Sequence, residues 1–316
     1  MATREERIKN CLELKNVRIK ETSANSWCFS FAEKGLSKET ICEKLKGLFQ
    51  ISDPMFDEKF MQAVSGDGQE YEKIMNTRSS SLCALLFFFS VSEKNPIFID
   101  DIKFTESYFE VKNRVFNNPS NMDVVLIGEK DKKRHILFIE CKFSEYLYPG
   151  VVEISNAYRE NEISAKIYDK AIEKGIFHKE DKKDGKPGYG YYRATQYMGG
   201  LKQIISHYVG MSNFLDRNKA EYMINEDSVY RDNIYTRDFD CVSFVEVLFD
   251  FGSEFEKEFE AYKEESEQLI EIIKPFEKRI NFLGTMSYQS IINSDSNKNF
   301  KNRLNESIKE YYQYNK

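Results

Sequence analysis

Two short apolar runs joined by a polar turn constrain the fold of this chain more than any other feature. Residues 123–127 (DVVLI) and 136–143 (ILFIECKF) have the length and β-branched content of strands. The polar residues 128–135 between them predict an antiparallel hairpin. Successive side chains of a strand point to opposite faces, so Glu140 and Lys142 share one face. The other face, residues 137, 139, 141 and 143, is wholly apolar.

The register of this hairpin brings two acids together. If Ile127 pairs with Ile136, counting back along the ladder sets Asp123 opposite Glu140, with Cβ atoms roughly 4.5–5.5 Å apart. Two carboxylates this close repel each other, so removing either one is predicted to stabilise the metal-free fold. A divalent cation between them would reverse the sign of the interaction. With Lys142 on the same face, the arrangement suits metal-assisted hydrolysis of a phosphodiester.

The pattern Asp123…Glu140-x-Lys142 resembles that of the PD-(D/E)XK nuclease superfamily, with Pro119 displaced from its usual place next to the aspartate. The resemblance covers roughly residues 60–250 and extends to a group of restriction-endonuclease-like proteins. Four further segments carry it: 65–70 (SGDGQE), 79–87 (SSSLCALLF), 108–110 (YFE) and 203–207 (QIISH). It implies an α/β fold with a restriction-endonuclease-like core, in which a central mixed sheet has the element order αβββαβ.

The resemblance also implies a reaction, which is Mg²⁺- or Mn²⁺-dependent hydrolysis of DNA in restriction, defence or repair. Asp123, Glu140, the backbone carbonyl of Cys141 and Glu70 are the expected metal ligands. A divalent ion there would lower the pKa of water and neutralise charge on the scissile phosphate. Lys142 would position or deprotonate the attacking water, or stabilise the transition state. The ordinary interpretation of Glu70 is a first-turn glutamate that favours the helix dipole, and Glu72 is its substitute.

Other residues are candidates for substrate binding. Gln203 and His207 are four residues apart on one predicted helix and therefore share a face. Lys183 and Lys186 belong to a basic loop with neighbouring tyrosines, which suits a phosphate backbone and stacked bases. The competing interpretations are a polar helix stripe and a solvated loop.

One rival site competes with the hairpin. The pair Glu110 and Lys112 repeats the Glu-x-Lys pattern, with Asp100 or Asp101 as the partner acid. Glu-x-Lys alone carries little information in a chain that is 31% charged. The 140–142 copy differs because it interrupts an apolar strand, where charges are costly unless they are partnered or functional.

Composition bounds the remaining possibilities. The 316 residues are 41% hydrophobic and carry a net charge of −6, which favours a folded chain and disfavours a passive nucleic-acid coat. The six cysteines form no CxxC pair and the three histidines are scattered, which disfavours a zinc cluster. The chain shows no signal peptide and no membrane span, so we expect a cytoplasmic protein with no membrane partner. DNA is the expected partner, and a homodimer is one possible assembly.

Three regions are predicted along the chain. Residues 1–62 form an N-terminal helical extension, 63–252 the nuclease core, and 253–316 a C-terminal helical extension with one long helix over 255–282. Two alternatives to an endonuclease stay open. One is an exonuclease of the same superfamily, and the other is a non-catalytic nucleic-acid-binding module on a nuclease-like fold.

Overall fold

The structure is a computed structural model that describes residues 3–11, 19–21, 27–65, 70–116, 119–148, 151–153, 156–180, 191–194, 198–217 and 230–314. The chain has an α/β fold, in which helices flank a six-stranded mixed sheet. A two-stranded ribbon and a three-stranded sheet accompany it. The strands are β1 (Ile19–Glu21), β2 (Trp27–Phe29), β3 (Ile97–Ile99), β4 (Ile102–Arg114), β5 (Pro119–Lys130), β6 (Lys133–Lys142), β7 (Val151–Glu153), β8 (Phe177–Glu180), β9 (Tyr191–Ala194), β10 (Cys241–Leu248) and β11 (Ile280–Ser287).

The central sheet has the order β11-β10-β6-β5-β4-β3. The strands β3 to β6 form an antiparallel meander, whereas β10 and β11 join parallel to β6 and to each other. The described helices are α1 (Arg4–Cys11), α2 (Lys38–Phe49), α3 (Met55–Ala63), α4 (Glu70–Lys73), α5 (Ser80–Phe88), α6 (Asn156–Glu160), α7 (Glu162–Glu173), α8 (Met198–Leu215), α9 (Glu256–Ile273), α10 (Tyr288–Ile292), α11 (Lys298–Arg303) and α12 (Glu306–Tyr311), with a π-helical turn at Arg231–Tyr235.

The predicted hairpin is present with the predicted register, because Ile127 pairs with Ile136. Its strands are longer than predicted, however, and extend to Lys130 and from Lys133. The connection is a two-residue turn at Asp131 and Lys132, both of which have positive φ (53° and 63°). This is the geometry of a type I′ turn, whose twist matches that of the flanking strands. Apolar alternation stops before the charged end of the hairpin, so it underestimated the strand length.

Two layers of helices cover the central sheet. On one face, α8 packs against β4 and β5, and α9 packs beside α8. On the other face, α5 packs against β5 and β6, and its Phe87 contacts the Tyr288 ring of α10 at 4.9 Å. Helix α5 begins where the sequence predicts, since the Ser79 hydroxyl accepts a hydrogen bond from the Leu82 amide at 3.1 Å. Residues 82–88 of α5 are all buried, as expected of a helix that is apolar on every side.

The two extensions are not purely helical, and this corrects the regional prediction. Residues 1–62 include the ribbon of β1 and β2. Residues 253–316 contribute β11 to the central sheet, where it pairs with β10. The predicted helix over 255–282 ends at Ile273, because Pro275 lacks the amide hydrogen that a helix needs. The C-terminal region is therefore part of the sheet that carries the candidate site.

Other helix predictions were shifted along the chain. The helix predicted over 193–210 begins at Met198, after the short strand β9. The helix predicted over 161–175 is α7, capped by the Asn161 side chain. Within the described ranges, no helix combines the length and apolar character needed to cross a membrane.

Candidate active site

A cavity of about 730 Å³ opens over one face of the central sheet. Its lining includes Asp123 from β5, Glu140 and Lys142 from β6, and Gln203 and His207 from α8. The five residues come from three elements and lie up to 84 positions apart in the sequence. The structure therefore brings together all of the hairpin residues and both α8 residues that the sequence singled out.

Asp123 and Glu140 share one face of the sheet, as the counted register requires. The neighbouring pair Val124 and Ile139 is in register. One Asp123 oxygen, Oδ2, accepts a hydrogen bond from the Cys141 amide at 2.7 Å. The Asp123 carboxylate is thus fixed against the strand that carries Glu140.

Lys142 is the cation of this cavity floor. Its ammonium, on a side chain that is 95% buried, donates to Glu140 Oε1 and to Gln203 Oε1, the latter at 2.6 Å. Gln203 is itself exposed at the cavity. The predicted contact of Gln203 with the site is therefore made through Lys142.

His207 lies deeper than its predicted role in substrate binding requires. It is only 2% exposed. Its Nε2 is 2.6 Å from Glu140 Oε2, and its Nδ1 is 2.7 Å from the Ser120 hydroxyl. Because both ring nitrogens are engaged inside the protein, His207 is placed to hold Glu140 in position. A direct contact between His207 and a substrate would require one of these bonds to break.

Carboxylates extend in a row across four adjacent strands of the sheet. Glu140 pairs in register with Glu246 of β10. On the other side, the pairs Phe109–Val124 and Val111–Met122 set Glu110 of β4 opposite Asp123. Neighbouring strands are about 4.8 Å apart, so four acids fall within roughly 15 Å. This concentration of negative charge is far above what sheet stability favours.

Glu110 has an unusual backbone within this row. Its φ of 51° lies in the left-handed region, which is costly for a residue with a side chain in the middle of a strand. The carboxylate is buried and accepts a hydrogen bond from Asn121 at 3.3 Å. It borders the same cavity as Asp123.

The rival site at Glu110 and Lys112 is not assembled. Asp100 and Asp101, its partner acids, form the tight turn between β3 and β4. Nine strand residues separate Asp101 from Glu110, which corresponds to roughly 30 Å. Glu110 is therefore a neighbour of the hairpin site rather than the centre of a second one.

The charges of the two central acids are held in different states. Burial raises the pKa of Asp123 well above its usual range, and the Glu140 and Glu110 carboxylates add to this effect. Burial acts in the same direction on Glu140, but Lys142 and His207 outweigh it and hold the pKa of Glu140 at about 2. Burial lowers the pKa of Lys142, but Glu140 and Asp123 raise it above its usual range. Glu140 and Lys142 thus form an ion pair, while Asp123 keeps its proton to higher pH than an ordinary aspartate.

The donor set fits a divalent cation in part. Asp123 and Glu140 offer the hard oxygen ligands that Mg²⁺ and Mn²⁺ prefer. Among the described residues, however, no group of three or more His, Cys, Asp or Glu side chains is arranged to hold a metal ion. The hydrogen bonds explain why, since both Glu140 oxygens are turned toward Lys142 and His207. Binding of a cation would require Glu140 to exchange one of these partners.

Several predicted site residues cannot be compared with this geometry. Glu70 begins α4, but its side chain lies outside the described residues, as do Lys183 and Lys186. Cys141 lies beside Asp123 through its amide, while its thiol is buried. These assignments stay predictions.

Sequence reasoning missed Ser120 and Glu246. Glu246 carried the signal that singled out Glu140, namely a charged residue inside an apolar strand. Ser120 gave no such signal, because its bond to His207 joins residues 87 positions apart. No family model, no curated protein and no solved structure matches this chain. What the cavity can do therefore has to be judged from its own side chains.

Proposed function

We propose that this chain is a metal-dependent nuclease that hydrolyses DNA phosphodiester bonds on a restriction-endonuclease-like core of the PD-(D/E)XK type. The observation that carries the proposal is the convergence of Asp123, Glu140 and Lys142 on the floor of one cavity. The three side chains come from the two adjoining strands of one hairpin. Endonucleolytic cleavage, in restriction, defence or repair, is the expected mode.

The charge of the cavity floor supports metal dependence. A phosphodiester is anionic, and four carboxylates aligned across the sheet would repel it. A divalent ion held by Asp123 and Glu140, with Glu70 as a further ligand, would neutralise this floor and supply Lewis-acid chemistry at the phosphate. The raised pKa of Asp123 is the expected signature of acids whose repulsion has no cation to relieve it.

The residues around the acids have separable roles in this proposal. Lys142 is the group placed to donate to a phosphate oxygen or to orient the attacking water, since its ammonium lies at the floor of the cavity. Gln203 holds that ammonium from the side of α8. His207, backed by Ser120, fixes the second oxygen of Glu140. A general acid or base in this position contributes typically 10²- to 10⁴-fold to a rate.

The alternative from another class is a non-catalytic nucleic-acid-binding module. A binding module would be free to lose Asp123, Glu140 or Lys142, and all three are present and connected. It would also favour a basic surface over the cavity, whereas the floor of this cavity is acidic. An exonuclease of the same superfamily would use the same three residues and differ in the substrate that it accepts.

Purified full-length protein incubated with DNA tests the proposal. Supercoiled plasmid and linear duplex should be compared in Mg²⁺, in Mn²⁺ and in EDTA. We expect cleavage only with a divalent ion. Conversion of the supercoiled circle to open or linear forms would identify an endonuclease, and digestion of linear DNA alone an exonuclease. Protein that binds both substrates and cuts neither in any metal would favour the binding module and contradict the proposal.

A further inference from the structure

A second polar cluster lies on the sheet beside the candidate site. Its centre is Glu246 in β10, which pairs in register with Glu140 of β6. Side chains of residues paired in this way project to the same face of a sheet. Glu246 therefore lies on the face that carries Glu140 and Lys142, and it is completely buried.

Helix α9 supplies the hydrogen bonds of Glu246. The Tyr262 hydroxyl donates to Glu246 Oε1 at 3.0 Å, and the Ser266 hydroxyl donates to Oε2. Ser266 also lies 3.2 Å from the Thr285 hydroxyl of β11. Tyr262 and Ser266 are completely buried. The carboxylate of the core strand is thus held by side chains from the C-terminal region.

Gly200 joins this cluster to Lys142. A Cβ atom at Gly200 would lie 1.9 Å from the Tyr262 hydroxyl oxygen and 3.1 Å from Lys142 Cε. Only a residue without a side chain allows α8 to approach both groups. The Tyr262 hydroxyl and the aliphatic stem of Lys142 therefore lie next to each other, against one glycine.

The charges agree with this placement. Burial raises the pKa of Glu246, while the Ser266 hydroxyl and the Lys142 ammonium act in the opposite direction. The ammonium is thus within electrostatic reach of Glu246. Lys142 lies between two acids of neighbouring strands, Glu140 and Glu246, and is hydrogen-bonded to the first.

We infer that Glu246, Tyr262 and Ser266 are positioning residues that hold the Lys142 ammonium in place at the cavity floor. The two hydroxyls fix the Glu246 carboxylate so that it attracts Lys142 without taking over as its hydrogen-bond partner. The C-terminal region thereby becomes part of the site. The inference rests on the proposed function only for the reaction that Lys142 serves, since the position of Lys142 can be measured without it.

Pulse acetylation of lysines, quantified by mass spectrometry, measures the position of Lys142 directly. Glu246→Gln removes the charge and keeps the shape, so Lys142 loses one counter-charge and its acetylation should rise severalfold. Lys59 and Lys309 are also buried and serve as internal references. Tyr311→Phe is the matched control, because Tyr311 is a buried tyrosine of the same region that bonds the Thr77 carbonyl. Unchanged Lys142 acetylation in Glu246→Gln, or an equal rise at Lys59 and Lys309, would overturn the inference.

Tyr262→Phe provides a second variant with the opposite expected effect. Without the hydroxyl donor, the Glu246 carboxylate should recruit the Lys142 ammonium, so Lys142 acetylation should fall below the wild-type level. If the wild type cleaves DNA, kcat of this variant should fall about 10- to 100-fold with KM unchanged, as for other residues that orient a reacting group. A variant with wild-type acetylation and wild-type kcat contradicts the inference. A wild type that cleaves no DNA refutes the proposed function but leaves the acetylation result valid.

Discussion

The imidazole of His207 and the carboxylate of Glu140 are joined by a buried hydrogen bond of 2.6 Å. An ionised carboxylate can only accept, so Nε2 of His207 carries the hydrogen and donates it. In the neutral ring, Nδ1 then accepts from the Ser120 hydroxyl. The two bonds fix the orientation of Glu140 from the side opposite Lys142. Glu140 is thus the most constrained acid of the site.

Replacing His207 should therefore cost more stability than replacing its outer partner. His207→Ala leaves the Glu140 oxygen and the Ser120 hydroxyl without their partner and opens a cavity, so the free energy of unfolding should fall by about 3 kcal/mol. Ser120→Ala removes one hydroxyl and should cost about 1 kcal/mol. Urea denaturation in EDTA measures both. Equal costs for the two variants would show that the His207–Glu140 bond does not hold the site together.

The two central acids should respond in opposite ways to neutralisation. Asp123→Asn should raise the free energy of unfolding of the metal-free protein at neutral pH by at least about 1 kcal/mol, because it removes a charge that burial and two acids oppose. Glu140→Gln should lower it by about 3 kcal/mol, since it leaves Lys142 buried without its counter-ion. This revises the expectation from the sequence that removing either acid would stabilise the fold. Parallel urea titrations in EDTA would expose an error if both variants moved in the same direction.

The stabilising effect of Asp123→Asn should depend on pH. The pKa of Asp123 is raised in the folded state, so the wild type loses stability as pH rises from the unfolded value, near 3.9, toward the folded one. The variant lacks this loss. Its advantage over the wild type should therefore be small at about pH 4 and largest above the folded pKa of Asp123. Urea titrations of both proteins from about pH 4 to pH 8 would reveal a constant difference if the raised pKa were incorrect.

The hairpin turn offers a prediction that is independent of function. Asp131 and Lys132 both adopt positive φ, which side chains disfavour and which Asn-Gly accommodates. The double substitution Asp131→Asn and Lys132→Gly should stabilise the protein by roughly 0.5 kcal/mol, whereas Lys132→Val should destabilise it. Thermal unfolding reports both changes. A gain from Lys132→Val would contradict the turn geometry.

Local patterns in the sequence accounted for much of this sheet. The alternation over residues 136–143 predicted the register of β5 and β6 and the shared face of Asp123, Glu140 and Lys142. Strand β11 was missed because Ile280–Ser287 was assigned in part to the end of a helix, although Pro275 marks where that helix stops. A proline signal was available and was given too little weight.

The partners of the site residues could not be predicted in the same way. The contacts of His207 with Ser120 and Glu140, and of Glu246 with Tyr262, depend on how helices dock on the sheet. Docking is determined by packing between elements distant in the chain, and side-chain periodicity within one element does not encode it. The sequence therefore indicated which residues carry charge into the core, and the fold determined which groups neutralise them.

The most direct test of the central claim is single-turnover cleavage of supercoiled plasmid in Mg²⁺ by the wild type and three variants. Asp123→Asn and Lys142→Ala should each reduce the rate at least about a hundredfold. Glu129→Gln, an exposed acid on the same strand as Asp123, should cleave at the wild-type rate. If folded Asp123→Asn and Lys142→Ala proteins cleave as fast as Glu129→Gln, the hairpin is not the active site.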